Sequence, residues 1–127
     1  VLITAYCACQ LCCGPTAPQP TAAGIKPAQG ITVAASRKYP LGSAIYISIP
    51  GVMNNRRYKI QDRLHNKYDN RVDIYFSSHK QAKQFGIKKG FIWIHNSKNA
   101  PAAMISSRST KYHSLVLTGF VLSVYAY

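Results

Sequence analysis

The three acidic residues are the side chains of this chain whose spacing could do chemistry. Asp62, Asp69 and Asp73 lie within twelve residues, in the segment QDRLHNKYDNRVDIYF (61–76), whereas sixteen Lys and Arg residues give the chain a net charge of +13. A positioned carboxyl group can serve as a general acid and then as a general base. The segment therefore predicts either a catalytic or binding site or the local counter-charge of a basic domain.

Charge and position support both hypotheses for Asp62 and Asp73. Asp62 ends one predicted strand and Asp73 lies inside the next, so in a small barrel the two side chains can line one groove. A general acid must hold its proton, whereas neighbouring cations favour the ionised carboxylate. The alternative is that Asp62 and Asp73 pair with Arg57, Arg63 or Arg71 and only hold the fold together.

The cysteines are confined to CACQLCC, where Cys7, Cys9, Cys12 and Cys13 lie within seven residues. Vicinal cysteines rarely bond to each other, so we expect Cys7 and Cys9 to form disulfides with Cys12 and Cys13. A zinc cluster is the alternative, but no second cysteine pair follows downstream. We therefore expect disulfides, no metal site, and an oxidising, extracytoplasmic location.

The histidines and the sequence motifs predict no cofactor. His65, His79, His95 and His113 show no HxH or HxxxH spacing, so none is assigned to a metal. The chain has no phosphate-binding loop, no dinucleotide fingerprint and no Ser-His-Asp order. Any catalysis would therefore rest on the chain's own side chains.

Short β-branched and aromatic runs between turn residues predict a mainly β fold, a small barrel or sandwich. The predicted strands are 2–6, 31–35, 44–49, 57–62, 71–76, 91–95 and 115–124. One helix is predicted over 78–85, capped by Ser77 or Ser78 and ended by Gly86. The Pro- and Gly-rich segment 14–30 is a loop, and 49–57 is predicted to be a hairpin loop. We expect one domain at 1–95, then a polar linker and an apolar C-terminal strand over 96–127.

The net charge of +13 predicts attraction to polyanions such as nucleic acid, anionic lipid or acidic wall polymers. The basic residues are scattered and match no nucleic-acid motif, so a generally cationic surface is favoured over a nucleic-acid face. The apolar run 115–127 is too short to span a bilayer. It could instead pair with a neighbouring subunit, because an unpaired apolar strand exposes a soluble protein to association.

Four stretches together resemble the three-aspartate, or 3D, domain family. They are TAYCACQLCCG (4–14), TAAG with GITVAAS (21–36), PLGSAIYI (40–47) and DRLHNKYDNRVDIYFSSHKQAKQFG (62–86). This family has a six-stranded double-psi β-barrel, shared with the catalytic region of membrane-bound lytic murein transglycosylases and, more remotely, with rare lipoprotein A-like proteins. Asp62 and Asp73 match its second and third aspartates. Ser36 stands where the family has the first, and Leu64 and His65 replace a glycine pair.

The resemblance implies a secreted protein that acts on cell-wall glycan. In the related transglycosylases one carboxyl group protonates the glycosidic oxygen and then assists closure of a 1,6-anhydro ring. By resemblance Asp62 would take this role and Asp73 would orient the sugar or support Asp62. Substrate contacts would come from Thr4, Tyr6, Thr21 and Arg63. The alternative function is a non-catalytic extracellular module, such as a surface, fibre or virion subunit that keeps the barrel.

Overall fold

The computed structural model describes residues 1–95, and this part of the chain is mainly β. Its elements in chain order are β1 (Leu2–Tyr6), α1 (Gln10–Cys13), β2 (Thr32–Ala35), β3 (Ala44–Ile49), β4 (Met53–Arg63), β5 (Arg71–Tyr75), α2 (His79–Phe85), β6 (Lys88–Lys89) and β7 (Phe91–His95). The predicted linker and the predicted strand at 115–124 lie outside the described residues.

The strands form a single curled half-barrel in the order β6-β1-β5-β2-β4-β3-β7. Two of its pairs are parallel, β1 with β5 and β2 with β4, and the other four are antiparallel. Parallel neighbours need long crossover connections, and here one of them contains the 14–30 loop. The two parallel pairs bring the ends of distant strands to common edges of the sheet.

The core lies on the concave side of this sheet. Strand β3 shows the simplest pattern, since Ile45, Ile47 and Ile49 are buried while the residues between them are only partly covered. The other buried members of the core cluster are Ile3, Val33, Ala35, Tyr58, Ile60, Val72 and Ile74. Each fully buried isoleucine contributes roughly 1.5–3 kcal/mol relative to an exposed one. The alternation leaves the intervening residues on the other face.

Gly90 links the two edge strands, β6 and β7. Its backbone N–H donates to the carbonyl of Val1 at 3.0 Å, and a Cβ built on it would lie 2.7 Å from the carbonyl oxygen of Ser48. The same Cβ would lie 3.1 Å from Ile3 and 3.2 Å from Ile49, two core residues. Glycine is therefore required here by close packing and not by a left-handed backbone.

Several predicted bounds are corrected by the structure. The half-barrel has seven strands and two helices among the described residues, not six strands and one helix. The additional strand, β6, is only two residues long, and α1 is a single turn, so neither gives a periodic pattern. Strand β4 begins at Met53, so half of the predicted 49–57 loop is strand. Helix α2 is confirmed, with Ser78 as its N-cap and Gly86 at its end.

Candidate functional site

Asp62 and Asp73 lie on either side of one residue of β2. In the strand register Ala34 pairs with Asp73 of β5 and with Asp62 of β4, while Thr4 of β1 pairs with Asp73. Paired residues on neighbouring strands share a face, with about 4.8 Å between strands. The four residues, called the carboxylate row below, therefore cross the sheet on the face opposite the core.

A β-bulge places Asp62 in this row. The register of the parallel β2–β4 pair shifts between Val33 and Ala34, so that Val33 pairs with Ile60 but Ala34 pairs with Asp62. In a regular register Gln61 would pair with Ala34, and Asp62 would pair with the core residue Ala35 and lie on the buried side. Bulges change the direction of single side chains in this way and are frequent next to active sites.

Asp73 is neutralised by an arginine. The Arg71 guanidinium donates from Nε to Asp73 Oδ1 at 2.6 Å and from Nη2 to Oδ2 at 2.9 Å. Thr4 also donates its hydroxyl to Oδ1, and Arg71 Nε donates to the Thr4 hydroxyl at 2.8 Å. Asp73 is 7% exposed, and its hydrogen bonds with Arg71, and then its charge, raise the pKa of Arg71. These contacts hold Asp73 as one half of a buried, bidentate ion pair.

Among the described residues, no arginine side chain forms an ion pair with Asp62. Its Oδ2 accepts from the Tyr6 hydroxyl at 3.0 Å, and its Oδ1 accepts from the backbone N–H groups of Ala22 at 3.1 Å and Arg63 at 2.8 Å. Burial, and then the charge of Asp62, raise the pKa of Tyr6 well above its ordinary value. Tyr6 therefore stays protonated and donates to the carboxyl group of Asp62, which is held in place yet partly open to solvent.

The other predicted substrate contacts have structural partners. Thr21 is 6% exposed and donates its hydroxyl to the carbonyl of Ile25 at 3.0 Å, which closes a turn of the 14–30 loop. Arg63 Nη1 donates to the carbonyls of Ser36 at 2.9 Å and Tyr39 at 2.6 Å. The structure thus brings Thr4 to Asp73 and Tyr6 to Asp62. Thr21 reaches the site only through its neighbour Ala22, whose backbone N–H donates to Asp62. The Arg63 guanidinium contacts backbone carbonyls instead of the two aspartates.

Asp69 lies apart from the carboxylate row. Its Oδ1 accepts from the hydroxyl of Ser36 at 2.9 Å. Asp69 thus places a carboxylate against residue 36 from the loop between β4 and β5. This contact joins that loop to the end of β2.

A pocket opens next to the row beside the Tyr6–Tyr75 pair. The two rings meet edge to face with their centroids 5.5 Å apart. Tyr75 and Ala8 line one side of a pocket of about 280 Å³, and residues of the 14–30 loop between Pro18 and Pro27 line the other. The pocket includes Lys26, so a ligand there would meet an aromatic ring, an apolar wall and one cation.

The predicted disulfide-rich turn is not found, because all four cysteines are free thiols. The sulfur of Cys7 lies 3.0 Å from that of Cys9 and 3.5 Å from that of Cys12, whereas a disulfide bond is about 2.05 Å long. Cys13 donates instead to the carbonyl of Cys7 at 3.2 Å. Donation from Cys7 lowers the pKa of Cys9 to about 6, and burial raises that of Cys7 to about 12.

The reasoning from sequence missed His79, which joins this cluster. Its Nδ1 lies 3.6 Å from the sulfur of Cys7, 3.4 Å from that of Cys9 and 3.5 Å from that of Cys12. The parallel pairing of Tyr6 with Tyr75 could have indicated it, because the segments that follow β1 and β5 then leave the sheet at the same edge. His79 is too far from the cysteines in the chain for any spacing motif to reveal it.

Comparison with known proteins adds no relative to this geometry. No protein-family model matches the chain, and no curated protein matches it. Within residues 1–95 no helix is long and apolar enough to cross a membrane.

Proposed function

We propose that this chain is a double-psi β-barrel of the three-aspartate type that cleaves cell-wall glycan as a lytic transglycosylase, with Asp62 as the general acid and base. The observation that carries the proposal is the position of Asp62: a bulge brings it into the carboxylate row, and Tyr6 and two backbone amides hold it without an arginine. Core-facing residues of β4 have no such exposure or partners.

The topology supports the barrel assignment. The two parallel pairs, β1 with β5 and β2 with β4, connect distant parts of the chain as the crossed loops of such a barrel require. The segment 88–95 pairs first with β1 and then with β3, so one nearly continuous strand joins the two edges of the sheet through Gly90. Closure of this kind removes exposed strand edges.

The proposed reaction uses one carboxyl group twice. Protonated Asp62 gives its proton to the glycosidic oxygen as the bond from that oxygen to the anomeric carbon breaks. The resulting carboxylate then accepts the proton of the 6-hydroxyl of the N-acetylmuramic acid residue that carries this anomeric carbon. The oxygen of that hydroxyl bonds to the anomeric carbon and closes the 1,6-anhydro ring. The proton returns to Asp62, and no water is consumed.

The neighbours of Asp62 have supporting roles in this scheme. Tyr6 fixes the carboxyl group by a hydrogen bond and stays protonated, and Ala22 brings the 14–30 loop against the row. The pocket beside Tyr75 would hold a neighbouring part of the glycan against Lys26 and the apolar wall of the 14–30 loop, since the Tyr75 ring itself is only 8% exposed. Asp73 acts as a positioning residue because Arg71 neutralises it.

The test is digestion of purified peptidoglycan followed by mass spectrometry of the soluble products. We expect anhydro-muropeptides from the native protein and a loss of at least about 100-fold in rate for Asp62→Asn, since general acid–base groups contribute roughly 10²–10⁴-fold. The matched control is Asp69→Asn, which removes a carboxylate outside the row and should keep the activity. No products from the native protein, or equal rates for the native protein and Asp62→Asn, would exclude the catalytic role.

A second candidate function is supported by the Arg71–Asp73 ion pair. Asp73 is already neutralised by Arg71, and Asp62 already accepts three hydrogen bonds. Such a carboxylate row is compatible with a barrel that binds glycan without cleaving it. Such a module would belong outside the cell or in its envelope, as a surface, fibre or virion subunit. Cosedimentation with insoluble peptidoglycan without release of any soluble fragment would favour it over the enzyme.

A further inference from the structure

The cluster of Cys7, Cys9, Cys12 and His79 lies at the edge of the sheet that the 280 Å³ pocket also occupies, but it shares no residue with the carboxylate row. Its four ligand atoms, three sulfurs and one ring nitrogen, all lie within 4.8 Å of one another. We propose that these four residues bind one zinc ion in a closed, tetrahedral site that fixes the segment after β1 to the start of α2.

Local structure explains how three cysteines converge. Cys7 follows the last residue of β1 and is 2% exposed, so its sulfur is fixed at the end of the strand. Cys9 is the N-cap of α1, and the backbone N–H groups of Cys12 and Cys13 both donate to its carbonyl. Residues three apart on a helical turn lie on one side of it, which brings Cys12 beside Cys9. The thiol of Cys13 donates instead to the backbone carbonyl of Cys7.

The fourth ligand comes from a different element. His79 is the first residue of α2, and its Nδ1 is nearly equidistant from the three sulfurs, at 3.4, 3.5 and 3.6 Å. An imidazole that only capped one thiol would lie close to that thiol alone. With nearly equal distances to the three sulfur atoms, Nδ1 lies at the apex of a tetrahedron, and the three sulfur atoms form its base.

The distances fit the size of a zinc ion. Bonds of about 2.3 Å to sulfur and about 2.0–2.1 Å to nitrogen at tetrahedral angles give sulfur–nitrogen separations of about 3.6 Å and sulfur–sulfur separations of about 3.8 Å. The observed sulfur–nitrogen distances are 3.4–3.6 Å, and Cys7 and Cys12 are 3.5 Å apart. The 3.0 Å between Cys7 and Cys9 and the 3.5 Å between Cys7 and Cys12 must lengthen on binding. Cys9 and Cys12 are more exposed than Cys7 and can move more easily.

The ligand chemistry selects the metal and its role. Thiolate and imidazole ligands suit zinc, whereas calcium and magnesium need oxygen ligands. Four protein ligands leave no position open for water or substrate, which is the arrangement of structural zinc sites. Three thiolates with one zinc ion carry a net charge of −1, and a chain of net charge +13 stabilises such a site.

The experiment uses the full chain purified under reducing conditions, stripped with a chelator and then titrated with Zn²⁺ or Co²⁺. We expect one ion per chain, the visible absorption of tetrahedral thiolate-bound Co²⁺, its loss on Zn²⁺ addition, and a higher Tm with zinc. Cys12→Ser and His79→Ala should each weaken binding by more than about 100-fold, because loss of an outer-shell partner alone costs roughly 10–100-fold. Cys13→Ser is the matched control and should bind as the native chain does.

A second measurement covers ligand variants that fail to fold. In the native chain with zinc, an alkylating reagent should modify Cys13 while Cys7, Cys9 and Cys12 are protected, and chelation should remove that protection. The proposal is overturned if the reduced chain binds no stoichiometric metal, if Cys13→Ser weakens binding as much as Cys12→Ser, or if zinc protects none of the three ligand thiols. Glycan cleavage is not a readout, so the outcome is independent of the function proposed above.

Discussion

Asp62 and Asp73 are the same type of side chain in two different environments. Asp73 forms a bidentate pair with Arg71 and accepts from Thr4, whereas within residues 1–95 Asp62 accepts only from a tyrosine hydroxyl and two backbone amides. Burial of an ion pair makes each partner dependent on the other. Stability should therefore depend mainly on Asp73, and chemistry on Asp62.

The Arg71–Asp73 pair can be tested by a double-mutant cycle. Arg71→Leu should lower the free energy of unfolding by about 2–3 kcal/mol, less than the roughly 3–5 kcal/mol of a fully buried pair, because the Arg71 side chain is 28% exposed. Asp73→Asn should then cost less in the Arg71→Leu background than alone. Urea unfolding gives the free energy of unfolding of the native protein, the two single variants and the double variant. A coupling energy near zero would show that Arg71 and Asp73 do not stabilise each other.

The residues of the site differ in how far the sequence could predict them. The spacing of Asp62 and Asp73 and the resemblance to the family singled out the pair that the sheet register brings together. The cysteine segment was predicted to form disulfides, which was wrong, because a spacing pattern cannot distinguish disulfides from thiols that converge on a histidine. His79 was missed because only the parallel β1–β5 pairing brings α2 to the cysteines.

The β2–β4 pair shows why element positions alone do not define the site. The predicted bounds of β2 were within one residue of those observed, and so was the end of β4, although β4 begins four residues earlier than predicted. Even with correct bounds, a sequence cannot show which residue is extra in a bulge. That one-residue shift decides whether Asp62 faces the core or the carboxylate row. Helix α2 was predictable because its N-cap serine and final glycine are local signals.

Strand closure at Gly90 gives a prediction about the β6–β7 element. Gly90→Ala should lower the free energy of unfolding by about 1–3 kcal/mol, the usual effect of overpacking a core. The new methyl group would meet the backbone carbonyl of Ser48, which cannot move aside as a flexible side chain can. Thermal unfolding followed by circular dichroism measures the change. An unchanged Tm would mean that the two edges are not held as closely as described.

The net charge acts on the whole molecule. With +13 and scattered cations, binding to an anionic wall polymer should weaken steeply as salt rises, because the Debye length falls from about 10 Å at 0.1 M to about 3 Å at 1 M. This is tested by measuring how much protein binds to cell walls that contain teichoic acid and to the same walls stripped of that polymer, at several salt concentrations. Equal, salt-independent binding to both walls would show that charge does not drive association.

The core defines which part of the chain should fold by itself. Within the described residues the buried side chains form one core cluster, and Val1–Asn96 form a compact unit. A chain ending at Asn96 should therefore unfold cooperatively with a Tm within a few degrees of that of the full chain. Calorimetry of both chains tests this, and sedimentation shows whether the predicted 115–124 strand mediates self-association. A truncated chain without a cooperative transition would contradict the domain boundary.

The free cysteines change the argument about the environment of the whole protein. Disulfides were the reason to expect an oxidising compartment, and the structure has four thiols instead. A location at the cell envelope therefore stays a prediction, supported by the proposed glycan substrate and the positive charge and no longer by cysteine chemistry.

The most direct test of the account is digestion of peptidoglycan in water enriched in heavy oxygen, with mass spectrometry of the released muropeptides. Closure of the 1,6-anhydro ring by the sugar's own hydroxyl takes no oxygen from water, whereas hydrolysis takes one. The proposed mechanism, with Asp62 as the general acid and base, predicts unlabelled anhydro products from the native protein and none above background from Asp62→Asn. Labelled reducing ends, or no soluble product from the native protein, would contradict it.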